Sequence, residues 1–243
     1  MRNFRSWSVF NKVFVLLITG ISLNVSAVVN VDKTRVIFSS GDSAQTINLL
    51  NSGDSPTIVQ VWTDDGNINI SPDMNSTPII SLPPVMKLLT NELRSLRLIL
   101  ASREKMPKDR ESLFWLNIYQ IPSHQVTHDS AERKVLLPLR IRLKIFIRPQ
   151  GIDAPQITDP SRIIFSSQNK RLTITNPTPW YMNINCSVDG NNNLNNVVVA
   201  PKSQITLPIR NQLKSGEKVH FSVINDNGNP ANYVAQIANA VAR

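Results

Sequence analysis

Residues 134–150 read KVLLPLRIRLKIFIRPQ, and one alternation of apolar and charged residues runs through most of this stretch. The apolar residues are Val135, Leu137, Leu139, Ile141, Leu143, Ile145 and Ile147, and the cations are Arg140, Arg142, Lys144 and Arg148. A period of two residues predicts a β-strand with one apolar face. Such a strand would span roughly 40 Å at about 3.3 Å per residue, whereas ordinary strands contain about five or six residues. One small domain can cover only part of it, so the rest of the apolar face needs another partner.

Strand patterns also dominate the sequence on both sides of this stretch, and they occur in two sets that resemble each other. TRVIFSS at 34–40 is repeated as SRIIFSS at 161–167. A strand–turn–strand pattern follows each copy, QTINLLNSGDSPTIVQV at 45–61 and KRLTITNPTPWYMNINC at 170–186. Short strands separated by Gly- and Pro-bearing turns are typical of β-sandwiches. The two sets predict an all-β protein with tandem domains of one architecture.

The segment 148–161, RPQGIDAPQITDPS, separates the two sets and is punctuated by prolines and a glycine. It is typical of a short, stiffened linker. We therefore predict one domain over residues 28–149 and a second over 150–243.

Residues 1–27 have the pattern of a secretory signal peptide. A positive region containing Arg2, Arg5 and Lys12 precedes a short apolar run at 13–23, and Val25-Ser26-Ala27 predicts cleavage before Val28. An uncleaved anchor is the alternative, but the apolar run is shorter than the roughly 20 residues that a membrane span needs. Removal of the three cations lowers the net charge from +9 to +6. Because Cys186 is the only cysteine, no intramolecular disulfide can form, which favours a prokaryotic periplasm over a eukaryotic extracellular setting.

No constellation of residues predicts an enzyme, a metal centre or a cofactor site. His124 and His128 lie near Asp129 without a third nearby ligand, which favours a solvated loop over a metal site. Asp64 and Asp65 precede Gly66, and formation of a turn explains them. The sequence contains neither a Gly-rich phosphate loop nor a G-x-S-x-G motif. We expect no cofactor, no nucleic-acid partner and a buried, unreactive Cys186.

DRESLFWLNIYQIP at 109–122, followed by IRLKIFIRP, resembles the signature of the periplasmic pilus-assembly chaperones. DKTRVIF, VQVWTDDG, PIISLPPVMKL, ITNPTPWY and VINDNG are similar to further blocks of that family, in the same order. The resemblance implies two immunoglobulin-like β-sandwiches arranged in an L shape. It also implies a chaperone that lends a strand to an incomplete pilus subunit and delivers the subunit to an outer-membrane pore, the usher. The short segment before VLLPLRI resembles the short-loop type of the family.

The resemblance also assigns roles to residues. It implies that Val135, Leu137, Leu139 and Ile141 fill the groove of the subunit, although Pro138 removes one backbone donor from this strand. It implies that Arg35 and Lys144 bind the terminal carboxylate of the subunit. Glu111, Arg148 and Asp226 match an ionic network between the two domains. Without the resemblance, Arg35 and Lys144 would be interpreted as solvated strand cations, and the long strand as ordinary core.

Two other classes of function compete with a chaperone. A secreted structural subunit or adhesin would also be built of sandwiches, but it is expected to carry a donor extension at its mature N-terminus, where this sequence starts a strand at VVNVDKTRVIF. An exported enzyme would need a catalytic constellation that the sequence does not contain.

Overall fold

The structure is a computed structural model that describes residues 29–74, 77–122, 138–188 and 192–238. Within these ranges the chain forms sixteen strands, and the helical segments are two short 3₁₀ turns, Pro72–Met74 and Asp159–Arg162. The described part of the chain has no helix with the length and apolar character needed to cross a membrane. The prediction of an all-β protein with two domains is confirmed.

The first sandwich consists of two sheets packed face to face. Its strands are β1 (Val29–Val31), β2 (Arg35–Phe38), β3 (Ala44–Asn51), β4 (Thr57–Asp64), β5 (Ile79–Leu82), β6 (Val85–Leu88), β7 (Leu93–Leu100), β8 (Ser112–Pro122) and β9 (Leu139–Ile147). One sheet has the order β1-β3-β7-β5 and the other the order β2-β9-β8-β4-β6. Alternate residues of both sheets form one core, as the period of two residues requires.

The N-terminal strand segment contributes to both sheets of the first sandwich. β1 pairs antiparallel with β3, whereas β2 pairs parallel with β9 in the opposite sheet. Asp32 lies at the crossing point, where its carboxylate accepts hydrogen bonds from the backbone and side-chain amides of Asn48 at 2.9 and 2.8 Å. The continuous strand expected from VVNVDKTRVIF is therefore two short strands, because the chain changes sheets after Val31.

The second sandwich is related to the first, but its seven strands form one continuous hydrogen-bonded series. Its strands are β10 (Ile164–Gln168), β11 (Arg171–Asn176), β12 (Met182–Val188), β13 (Asn192–Val199), β14 (Ser203–Pro208), β15 (Lys218–Ile224) and β16 (Pro230–Ala238). They are hydrogen-bonded in the order β13-β12-β15-β16-β10-β11-β14, around a separate core. Like β2 on β9, β10 pairs parallel with the last strand of its own sandwich, β16.

The repeated sequence patterns reflect a structural device that occurs once in each sandwich. Asn51 and Asn176 end equivalent strands and are fully buried. Each side-chain amide donates hydrogen bonds to three backbone carbonyls, and each side-chain oxygen accepts a bond from the backbone N–H two residues later. A buried asparagine thus fastens the turn between β3 and β4 and the turn between β11 and β12, which is why Asn precedes the turn in both sequence patterns.

Cys186 lies in β12 and is a buried free thiol. Burial raises its pKa to about 11, so it stays protonated at neutral pH. The expectation of a buried, unreactive cysteine agrees with this environment.

Replacement of Asn176 by alanine should destabilise the second sandwich by about 2–3 kcal/mol, because it leaves buried carbonyls without their donor. Urea unfolding, followed by far-UV circular dichroism, measures this loss. Asn232→Ala is the matched control, because Asn232 lies on β16 away from the buried core and its loss should cost less than about 0.5 kcal/mol. Equal midpoints for the two variants would show that the buried asparagine does not fasten the turn.

Candidate functional site

The apolar face of β9 passes from solvent into the core along the strand. Leu139 is 47% exposed and Ile141 is half-buried, whereas Leu143, Ile145 and Ile147 are buried. Pro138 is exposed and lies just before the strand, so its missing N–H falls outside the ladder that is described. Val135 and Leu137 lie outside the described residues.

The two edges of β9 differ in how far they are paired. On one side, β8 pairs with β9 over its full length, from Gln120↔Leu139 to Ser112↔Ile147. On the other side, β2 pairs only from Arg35↔Lys144 to Phe38↔Ile147. No described strand covers residues 139–143 on this side. The exposed end of the apolar face and the unpaired edge therefore coincide.

Arg35 and Lys144 mark the point where this open edge stops. They are register partners on parallel strands, so their side chains lie on the same face of the sheet. The Arg35 guanidinium lies over the Phe146 ring at 5.9 Å, and the Lys144 ammonium lies over the Trp115 ring at 5.2 Å. Among the described residues, no carboxylate forms a salt bridge with either cation.

The surroundings of this cation pair disfavour its charge. Burial lowers the pKa of Arg35, and the charges of Asp226 and Glu111 offset this only in part. Burial and the positive charge of Arg35 both lower the pKa of Lys144. Arg35 donates one hydrogen bond to the Ile224 carbonyl of the second sandwich at 3.1 Å, but its buried Nε has no partner in the described structure. Two partly desolvated cations with a spare donor form a site suited to an anion.

Glu111, Arg148 and Asp226 form one network that connects the two sandwiches. Arg148, whose side chain is only 4% exposed, donates from Nε to Glu111 at 3.0 Å and through both terminal nitrogens to Asp226 at 2.9 and 2.7 Å. Glu111 in turn accepts from the Tyr181 N–H at 2.9 Å. Burial opposes the charge of Arg148, but its two carboxylate partners outweigh burial and raise its pKa. Burial raises the pKa of Glu111 despite its hydrogen bonds from Tyr181 and Arg148.

Gly228 brings the loop that carries Asp226 close to the first sandwich. Its φ of +84° lies in the left-handed region, and a Cβ at this position would overlap the Thr34 hydroxyl. A residue with a side chain would therefore push the loop away from Thr34, which immediately precedes Arg35.

Asp64 has a second role that the sequence analysis missed. It does accept the Gly66 N–H at 2.7 Å, as a turn requires. However, its fully buried carboxylate also accepts from Asn117 at 2.7 Å and from Arg142 at 2.5 Å. The bond from Gly66 agrees with the turn expected from the sequence, whereas the bonds from Asn117 and Arg142 come from other strands and depend on the register of the sheet.

The side chains of Arg140 and Arg142 extend from β9 across β8 toward β4, away from the open edge. Arg140 donates to the Asn117 side chain and stacks on Trp62 at 4.9 Å, and Arg142 stacks on Trp115 at 4.5 Å. Asp64 is the carboxylate that these cations approach. β4 contains one acidic residue, Asp64, and β9 carries cations at every second position from Arg140 to Lys144. This combination is the sequence signal that could have predicted the cluster.

Both sandwiches match the sequence models of a known protein family. Residues 28–153 match the N-terminal domain of the PapD pili and flagellar-assembly chaperones, and residues 158–235 match the C-terminal domain of the PapD pili-assembly chaperones. The chain belongs to the pilus-assembly chaperone family. The resemblance stated from the sequence motifs is therefore confirmed.

Relatives of this chaperone agree in length and in fold. It is 32% identical to the chaperone protein HifB of Haemophilus influenzae, over 85% of this chain and 87% of HifB. It is 31% identical to the chaperone protein MrkB of Klebsiella pneumoniae, over 82% and 86% of the two chains. The crystal structure of the YadV chaperone superposes with a TM-score of 0.72 at 27% identity, over 87% of this chain and all of that one. These relatives are named as chaperones, a non-enzymatic role, and the prediction that the chain is not an enzyme is confirmed.

Replacement of Arg148 by alanine should destabilise the chaperone by roughly 3–5 kcal/mol, because it leaves the Glu111 carboxylate buried without its partner. Urea unfolding measures this loss. Asp226→Ala keeps the Arg148–Glu111 pair and should cost less, while widening the distribution of interdomain distances measured by small-angle X-ray scattering.

Arg94→Ala is the matched control for this experiment. Arg94 forms an ion pair with Glu92 but is 44% exposed, and exposed pairs contribute about 1 kcal/mol or less. A loss for Arg148→Ala no larger than that for Arg94→Ala would contradict a buried interdomain network.

Proposed function

We propose that this protein is a periplasmic chaperone that captures pilus subunits by lending them β9 as a missing strand. The observation that carries the proposal is the coincidence, on one strand, of an unpaired edge and an exposed apolar face that ends at two cations. The same proposal includes export by a cleaved signal at 1–27, domains at 28–149 and 150–243, and delivery of the subunit to the usher. Family membership supports a role in pilus assembly.

The open edge of β9 suits the addition of a strand from another protein. Unpaired backbone N–H and C=O groups form a template for pairing, which proteins normally cover or disrupt. Leu139 and Ile141 lie on the apolar face at this edge and would enter the core of an incomplete subunit, and Val135 and Leu137 would extend the row. The arginines that alternate with them are turned toward Asp64, so their charges are held away from the incoming strand.

The position of β2 determines the direction of the added strand. A subunit whose terminal carboxylate binds Arg35 and Lys144 cannot extend toward Ile147, because β2 occupies that edge. It can extend only along residues 143 to 139. Its last strand would therefore run from the Leu139 end to the Lys144 end, parallel to β9.

Arg35 and Lys144 would fix the register of this pairing. A carboxylate can accept charge-assisted hydrogen bonds from both cations and would supply the acceptor that the Arg35 Nε lacks. A slip of one residue would turn the apolar side chains of the added strand to the wrong face. Anchoring the chain end prevents that slip.

The network of Glu111, Arg148 and Asp226 would hold the two sandwiches at a fixed angle. Arg148 directly follows β9, so the angle is set one residue beyond the end of the donor strand. The role of this network in the proposal is structural, because the network keeps Ile224 in place beside Arg35.

Replacement of Leu139 by aspartate should leave the chaperone folded but reduce subunit binding by about tenfold or more, because the carboxylate would be buried in the groove of the subunit. Co-purification with a co-expressed pilus subunit, at equal chaperone level, measures the effect. Leu93→Asp is the matched control, because Leu93 is also exposed in a strand, at 64%, but belongs to the opposite sheet. Unchanged yield for Leu139→Asp would rule out β9 as the donor.

Arg35→Ala and Lys144→Ala should each weaken binding of a peptide that has the last residues of a pilus subunit by one to two decades, since a charge-assisted bond contributes roughly 1.5–3 kcal/mol. Amidation of the peptide should cause a similar loss for the wild-type protein. Fluorescence anisotropy with free-acid and amidated peptides tests both effects. Equal affinities for the two peptides would mean that these residues are ordinary strand cations.

A further inference from the structure

A cavity of about 300 Å³ lies between the two sandwiches, beside Arg35. Arg35 and Phe146 line it from the first sandwich, and Tyr181, Val223 and Tyr233 line it from the second. Aromatic and aliphatic side chains thus form most of its wall, with Arg35 as a cation at its edge. Apolar walls with a few placed polar groups are typical of ligand sites.

The charged groups that line this cavity differ in whether their hydrogen bonds are satisfied. Glu111, Arg148 and Asp226 line it, and Arg148 donates hydrogen bonds to both carboxylates. The buried Nε of Arg35 lacks an acceptor in the described structure. An occupant that matches this cavity therefore carries a carboxylate for Arg35 and an apolar group for the aromatic and aliphatic walls.

We propose that this cavity is a specificity pocket for one large apolar or aromatic side chain at the C-terminus of the bound subunit. The proposal rests on the proposed function, because it takes the terminal carboxylate of the subunit to lie on Arg35 and Lys144. Phe146 and Lys144 lie on the same face of β9, two residues apart, so a chain end held at Lys144 lies next to the cavity. The second sandwich then contributes directly to recognition, through walls that contact the last side chain of the subunit.

The proposal predicts a preference among chain ends. Full burial of a large apolar side chain is worth roughly 1.5–3 kcal/mol, or about ten- to hundredfold in affinity. A chain ending in phenylalanine should therefore bind about ten- to hundredfold more tightly than the same chain ending in alanine.

The test uses the full-length mature chaperone and four peptides of one subunit-like sequence, ending in Phe or Ala, each as free acid and as amide. Ala231 lines the cavity from β16, so Ala231→Phe should fill it. Ala231→Leu is a smaller filling, for the case in which the first variant does not fold. Ala101→Phe is the matched control, because Ala101 is exposed outside the cavity.

In the wild type and in Ala101→Phe, we expect the free acid ending in Phe to bind at least about tenfold more tightly than the one ending in Ala. In the filled variants this ratio should fall toward one, while the preference for acid over amide persists. A strong preference for acid with no preference for Phe, or a Phe preference that survives both fillings, overturns the pocket and leaves the proposed function intact. No preference for acid over amide overturns the carboxylate site and the pocket together.

Discussion

The parallel pairing of β2 with the last four residues of β9 is the constraint on which the rest of the site depends. It places Arg35 beside Lys144, and no strand in the described part of the chain pairs on that side with the five preceding residues of β9. It also connects β9 to the interface, because the Arg148 N–H, just beyond the strand, donates to the Phe38 carbonyl at the end of β2. Residues 139–148 therefore contain the open edge, one member of the cation pair and Arg148 of the interdomain network.

The positions of the charged groups around β9 are explained by the geometry of the site rather than by a gain in the stability of the fold. Arg35 and Lys144 are partly buried beside each other, which disfavours both charges. Glu111 is buried deeply enough to raise its pKa even with Arg148 bound to it. Buried ion pairs often contribute little net stability, since desolvation offsets their attraction. The stability of the fold resides in the two apolar cores, which support a costly arrangement of charges at the site.

The sequence predicted the parts of this structure that depend on local pattern. The period of two residues in 134–150 predicted β9 and its apolar face, and the repeated TRVIFSS and SRIIFSS predicted two sandwiches of one plan. Pairing between strands that are distant in sequence leaves no local pattern, so only the family resemblance predicted that Arg35 and Lys144 lie close together. Asp64 shows the same limit, because its partners lie on other strands while its turn is local. The interdomain cavity depends on both sandwiches at once, and no single stretch of sequence encodes it.

The contact between Arg35 and Lys144 joins residues 109 positions apart, and this distance has a kinetic consequence. Contacts of high sequence separation form slowly, since the loop between them must be closed before the pairing is rewarded. The pairings among β3 to β8 all close shorter loops than this one, and β2 can pair in its sheet only after β9 has been added to β8. We therefore expect the open edge of β9 to be among the last features of the first sandwich to be completed. We expect a newly made chain to acquire its core early and its proposed capacity to bind a subunit late.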